Sequence, residues 1–133
     1  MKELIQFLSE NDRFARHTGI ELIAIEPGYA RARLEIREYH LNSAGLVHGG
    51  AIFTLADLVF AAAANSYGNI ALAINANINF IRGAKGGTLY AEARELACHP
   101  RLGTYSVRIT DEEDNLLATF EGLVYRKKDK LIP

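Results

Sequence analysis

Asp57 is the only charged residue between His48 and Arg82. It falls inside an Ala-rich apolar run, AIFTLADLVFAAAA, where an Asp has poor helix propensity. Burying an unpaired carboxylate costs several kcal/mol as a rough figure. One reading is a buried Asp that caps a neighbouring backbone group. The other is a carboxylate in a partly dry pocket, serving as base or nucleophile.

A second cluster lies upstream: Asn42, His48, Gly49 and Gly50. Two glycines at a helix start let a ligand approach bare backbone. The first N–H groups of a helix are unpaired and sit at the positive end of its dipole, which suits an oxyanion. Glycine pairs also simply turn chains, and His48 could equally be a helix-entry residue with a satisfied ring. Gly49 and Asp57 are eight residues apart on one helix, about 12 Å at ~1.5 Å per residue. A carboxylate reaches only a few ångströms from its Cα. If both clusters act on one substrate, Asp57 must come from a second protomer, across a two-fold interface.

The elements that position these groups follow from periodicity. Residues 2–16 carry Leu4, Ile5, Phe7 and Leu8 on overlapping rows and predict an amphipathic helix. Residues 20–25 and 30–37 flank Glu26-Pro27-Gly28 and predict a hairpin with one buried face: Ala30, Ala32, Leu34 and Ile36. Residues 38–48 lose periodicity and read as a loop. Residues 50–66 predict one buried helix. Residues 71–81 alternate, with Ile74, Ala76, Ile78 and Phe80 opposing Asn75, Asn77, Asn79 and Ile81. Residues 88–98, 103–110 and 115–126 predict three more strands, and the charged tail from Lys127 is expected to fray. The fold class is α+β: a curved antiparallel sheet wrapped around one long central helix. One sheet covers only one side of that helix, so a second protomer is the cheapest cover for the rest.

The chain has 133 residues and is 49% apolar, which suits a single domain over 1–133. Lys plus Arg number 15 against 16 Asp plus Glu, a net charge of -1, unlike the basic excess of nucleic-acid proteins. One cysteine, Cys98, leaves no internal disulfide or Cys-based zinc site. The N-terminus lacks a continuous apolar stretch, and the longest apolar run is too short to span a bilayer. These features suit a soluble cytoplasmic protein, with no nucleic-acid or membrane partner. His17, His40 and His99 show no metal-ligand spacing, so no metal is assigned. Ser43 and Ser66 lack the setting of a serine nucleophile.

Asn42, five residues, His48-Gly49-Gly50, six residues, Asp57 and then Asn65-Ser66-Tyr67-Gly68 together resemble the PaaI-type (phenylacetic acid degradation) branch of the hotdog-fold acyl-CoA thioesterases. The resemblance covers most of the chain. It implies a hotdog fold, dimers pairing into homotetramers, and hydrolysis of acyl-CoA thioesters, often aryl-acetyl ones, with no cofactor beyond the CoA of the substrate. Carried over by position, the Gly49 N–H polarises the thioester carbonyl and Asn42 lies near the carbonyl or the water. Asp57 of the facing protomer activates water or attacks directly. His48 and Gly50 fall beside the substrate. Some relatives position water with a Ser or Thr on the strand after the helix; this chain offers Ala73, Asn75 and Asn77 there. Arg82, Lys85 and Arg101 lie in predicted turns and could meet CoA phosphates. Two rivals compete. A hydratase or dehydratase needs a paired acid and His, and His40-Leu41-Asn42 has no Asp two residues before the Asn. A non-catalytic acyl-CoA-binding protein or ligand sensor would dispense with Asp57, which is present.

Overall fold

The helix that carries Gly49 and Asp57 is the axis of the molecule. In the computed structural model, which describes residues 1–133, helix α3 runs Gly49–Ala64 and is followed by a 3-10 turn at Asn65–Tyr67. Two short helices precede it, α1 (Lys2–Asn11) and α2 (Arg13–Thr18). Six strands make one antiparallel sheet: β1 (Ile20–Glu26), β2 (Tyr29–Glu35), β3 (Asn69–Phe80), β4 (Thr88–Cys98), β5 (Leu102–Thr110) and β6 (Leu116–Lys130). Their order across the sheet is β1-β2-β4-β5-β6-β3, so β1 and β3 are the edges.

Small residues let the helix lie close to the sheet. The inward faces of β2 and β4 carry Ala30, Ala32, Ala91 and Ala93, all fully or almost fully buried. Alanines 62–64 on α3 are equally buried. Where the sheet recedes, larger side chains fill the space: Phe60 packs on Tyr105 and Phe120 with ring centroids 5.8 and 5.4 Å apart. These tilted aromatic contacts suit ring quadrupoles. The end of α3 is clamped on two sides. Asn65 Nδ2 donates to Ala61 O and Ala71 O, and Asn65 Oδ1 accepts from Ala71 N–H, tying the helix to β3. Ser66 Oγ donates to Ala63 O and accepts from Gly28 N–H, tying it to the β1–β2 turn. Gly68 completes the exit with φ 91°, a left-handed conformation that glycine adopts without strain.

Several sequence expectations need correction. The helix expected over 2–16 breaks at Asp12, whose carboxylate accepts from Ala15 N–H and so caps a new helix. The tail expected to fray continues as β6 to Lys130, because Asn69 pairs with Lys130 and Leu131 N–H donates to Gly68 O. The alternation expected in β3 is interrupted by an irregular register between Ala73 and Asn75. The strand is an edge, and Leu72, Ile74 and Phe80 on it are exposed, as is Ile81 just beyond it.

Gly122 on β6 marks the tightest point of the core. A methyl group there would overlap the far edge of the Phe60 ring, itself almost fully buried. We therefore expect Gly122→Ala to cost about 1–3 kcal/mol through overpacking. Urea unfolding of the variant beside wild type measures this.

Candidate active site

The loop leading to α3 is held by a chain of hydrogen bonds. Buried His40 accepts from Arg37 N–H at Nδ1, which leaves Nε2 to donate to Thr18 O, 2.7 Å away. That bond ties the loop to the end of α2. His48 N–H donates to His40 O, and Val47 N–H donates to Ala84 O. Asn42 accepts from Ala44 N–H and Leu46 N–H at its Oδ1, an Asx-type turn that uses the oxygen and leaves the amide nitrogen outward.

His48 caps α3. Its Nδ1 accepts from Gly50 N–H at 2.8 Å, so the ring presents Nε2 to the outside. The His48 carbonyl accepts from Ala51 and Ile52. Of the first four helix amides, only that of Gly49 donates to no group in the chain. The capping thus concentrates the positive end of the helix on one free N–H. The Phe80 ring lies over Gly49, where even a Cβ would come within 3.2 Å.

Asp57 lies two turns further along α3. In the single chain it belongs to the one uncovered stripe of the helix, with Gly50 and Phe53. Phe53 meets Phe120 edge-on at 5.5 Å. The Asp57 carboxyl opens to solvent on one side, yet the protein packed around it on the others raises its pKa. Desolvation is the main cause, and the negative charge of Asp12 adds to it.

Beside the start of α3 opens a cleft of about 750 Å³, lined among others by Phe14, His17, Tyr39, His48, Ala51 and Thr54. Phe14 and Tyr39 present exposed rings to it. These walls come from α2 and from the 3-10 turn at Glu38–His40, and periodicity gave no sign of them. Tyr39 in a polar loop was the only signal.

The candidates fall into two groups in space. Asn42, His48, Gly49 and Gly50 share the loop and helix start. Arg82 and Lys85 flank them as exposed cations, because the Val47–Ala84 bond brings the 81–87 loop alongside. Asp57 does not line the cleft. Asn75 and Asn77 pair with Leu123 and Glu121 on the outer face of the sheet, away from α3. Arg101 sits at the far end, where its Nη1 donates to Arg126 O. No three His, Cys, Asp or Glu side chains converge to hold a metal ion.

A family model described as the Thioesterase superfamily matches residues 44–118. The chain belongs to the thioesterase superfamily. Acyl-coenzyme A thioesterase PaaI of Escherichia coli is 36% identical over 88% of this chain and 84% of that one. The structure of the Escherichia coli PaaI protein from the phenylacetic acid degradation operon superposes with a TM-score of 0.93 at 32% identity, covering 96% of this chain and 94% of that one. A 1,4-dihydroxy-2-naphthoyl-CoA hydrolase of Listeria monocytogenes is 27% identical over 84% of this chain and 94% of that one. The protein is a PaaI-like thioesterase with the hotdog fold, a hydrolase.

The raised pKa of Asp57 in this thioesterase has a sign that can be checked. An acid whose ionised form is disfavoured in the native state lowers stability as pH rises through its folded pKa. Below about pH 4 both states are protonated and the penalty vanishes. We expect Asp57→Asn to melt somewhat above wild type at neutral pH, with the difference closing as the solution is acidified. The gain is modest because the carboxyl still meets solvent. Thermal melts of both proteins across that range test it.

Proposed function

We propose that this thioesterase hydrolyses acyl-CoA at a site shared between two protomers. One observation carries the reading. The free Gly49 N–H, half-buried beside the uncovered stripe, and the exposed Asp57 carboxyl flank Phe53, which is four residues from each. Antiparallel pairing of two α3 helices about a two-fold axis beside Phe53 sets Gly49 of one protomer against the partner's Asp57. The exposed apolar groups of edge strand β3 favour the same partner, since an unpaired apolar edge invites another strand. The family resemblance adds a homotetramer built from two such dimers.

In this reading the thioester carbonyl accepts the Gly49 N–H, which gains strength as negative charge grows on the oxygen. The partner's Asp57 takes a proton from water as that water attacks the carbonyl carbon. Collapse of the tetrahedral intermediate breaks the C–S bond and expels the CoA thiolate. Direct attack by the carboxylate, through an anhydride, uses the same placement. A raised pKa makes the ionised carboxylate a stronger base in the first route and a stronger nucleophile in the second. Water, a carboxylate and a backbone N–H suffice, so no cofactor is invoked. Arg82 and Lys85 are proposed to meet the CoA phosphates and Asn42 to reach the carbonyl or the water through its free amide nitrogen. Asn75 and Asn77, facing outward, are left to the tetramer contact rather than to the reacting atoms. The cleft with its Phe14 and Tyr39 rings suits a flat acyl group, and we propose aryl-acetyl-CoA, as in phenylacetic acid breakdown, in the cytoplasm.

Gly49→Pro tests the free amide itself. Proline is tolerated at the first position of a helix, and His48 already has the extended conformation that precedes proline. The substitution deletes one N–H and leaves the helix. We expect turnover to fall about 10²–10³-fold, the usual cost of one oxyanion donor. Gly49→Ala, which keeps the N–H, serves as the control. Asp57→Asn should lose two or more orders of magnitude, roughly, with binding retained. A fully exchanged mixture of the Gly49→Pro and Asp57→Asn proteins should recover about a quarter of wild-type rate, one intact site in each hybrid dimer. A mixture shown to exchange but still inactive would refute the shared site.

A further inference from the structure

Four polar side chains are buried: His40, Asn65, Ser66 and Arg126. Three of them gather at the finish of α3, where Asn65, Ser66 and Arg126 donate to carbonyls of its last turn. His40 lies at the opposite end, against the cleft, and is only 5% exposed. Its burial costs desolvation that its hydrogen bonds must offset.

Those bonds join two parts of the site. Helix α2 is six residues long, starts at the Asp12 cap and stops at Gly19, where φ is 99°. It supplies Phe14 and His17 to the cleft wall. No backbone hydrogen bond ties it to residues 36–48, and the bond from His40 Nε2 to Thr18 O, at 2.7 Å, is its one hydrogen-bonded link to that loop. The other side of His40 holds the loop itself. Nδ1 accepts Arg37 N–H at 2.9 Å, and the His40 carbonyl accepts His48 N–H at 2.7 Å. The Tyr39 ring rests on the His40 ring with centroids 4.5 Å apart. Gly49 follows His48 directly, so the direction of its free N–H is set by the His48 backbone. One residue thus stands between the cleft wall and the free amide.

We propose that His40 is a positioning residue that couples the acyl cleft to the Gly49 N–H, so that an acyl group filling the cleft is read in kcat. The proposal rests on the reading above, in which that N–H meets the thioester carbonyl. The His40 ring touches no reacting atom. An acyl group seated against Phe14 and His17 immobilises α2, and with it Thr18, His40 and the His48–Gly49 peptide. Binding energy from a remote part of the substrate is then used in the transition state. An acetyl group leaves the α2 wall uncovered and gains nothing from the link.

Steady-state kinetics with phenylacetyl-CoA and acetyl-CoA test this. In His40→Asn the side-chain oxygen still takes the Arg37 N–H, while the tether to Thr18 is cut. In His40→Gln the amide nitrogen reaches for Thr18 O, so the tether is kept. With phenylacetyl-CoA, His40→Asn should lower kcat about 10–100-fold and leave KM within about threefold. His40→Gln should recover most of that loss. The decisive arm is a double-mutant cycle. In the Gly49→Pro background, His40→Asn should cost no further rate, because the amide it positions is gone. An equal cost in both backgrounds overturns the proposal, since His40 then only supports the fold. A His40→Asn protein with wild-type kcat overturns it too. A Gly49→Pro protein that runs at the wild-type rate sinks the oxyanion reading and this one with it, whereas an additive cycle on a slow Gly49→Pro protein sinks only the coupling. Should His40→Asn fail to fold, as judged by thermal melt, wild type decides. Its preference for phenylacetyl-CoA over acetyl-CoA should lie in kcat, and a preference that is absent or confined to KM overturns the proposal.

Discussion

One helix must be buried, and one sheet can bury only part of it. That constraint organises the rest of the molecule. Helix α3 is apolar on nearly every side, so leaving it in water would forfeit most of the hydrophobic gain. The sheet accommodates it by carrying alanines where contact is closest and aromatic rings where the curve opens. The uncovered remainder is the narrow stripe of Gly50, Phe53 and Asp57. A lone carboxylate on such a stripe needs a group to meet once the stripe is covered, because burial of an unpaired charge is costly. The incomplete burial of α3 and the placement of its one charge are two aspects of a single fact.

The two ends of α3 are treated in opposite ways. At the start, His48 takes one amide and leaves the Gly49 amide open, so the positive end of the dipole is available to a ligand. At the finish, Asn65 and Ser66 occupy carbonyls, and Arg126 reaches the last of them. Satisfied bonds anchor one end to β3 and to the β1–β2 turn; the other end borders a cleft. A helix fixed at its finish holds its start at a fixed angle to the sheet. That rigidity is what a free N–H requires to act on a developing oxyanion without reorganisation.

The parts of this arrangement legible in the sequence are those set by local rules. The alternation of Ala30, Ala32 and Leu34 located a buried strand face, and the long Ala-rich run located α3. The eight-residue spacing keeps Gly49 and Asp57 of one chain about 12 Å apart along α3, so a single substrate could meet both only across two protomers. What was not legible depends on distant neighbours. Asp12 breaks the first helix because its carboxylate caps a second one. Lys127 to Lys130 read as a fraying tail because their order comes from β3, 59 residues upstream in the Asn69–Lys128 bond. Asn75 and Asn77 stand where some relatives position water, and the irregular register of β3 puts them on the outer face of the sheet in the single chain. Phe14 and Tyr39 gave no periodic signal because they face a cleft, where no packing partner imposes a pattern.

The Asn65-Ser66-Tyr67-Gly68 segment shows how a run of polar residues can be spent on the fold. Each residue there solves a problem created by stopping a buried helix. Asn65 and Ser66 satisfy backbone groups that have no access to water. Gly68 supplies the left-handed turn. Tyr67 donates to Glu95 and covers Arg126. Removing Asn65 or Ser66 leaves a buried backbone group without a partner, which costs more than a surface substitution would. The same logic separates His40 from His48. The first is spent on the Arg37 amide and the Thr18 carbonyl, so its ring is structural. The second spends one nitrogen on Gly50 and keeps the other free at the cleft. Which polar residues of this fold can meet a ligand is therefore decided by which hydrogen-bonding groups remain after the backbone has been satisfied.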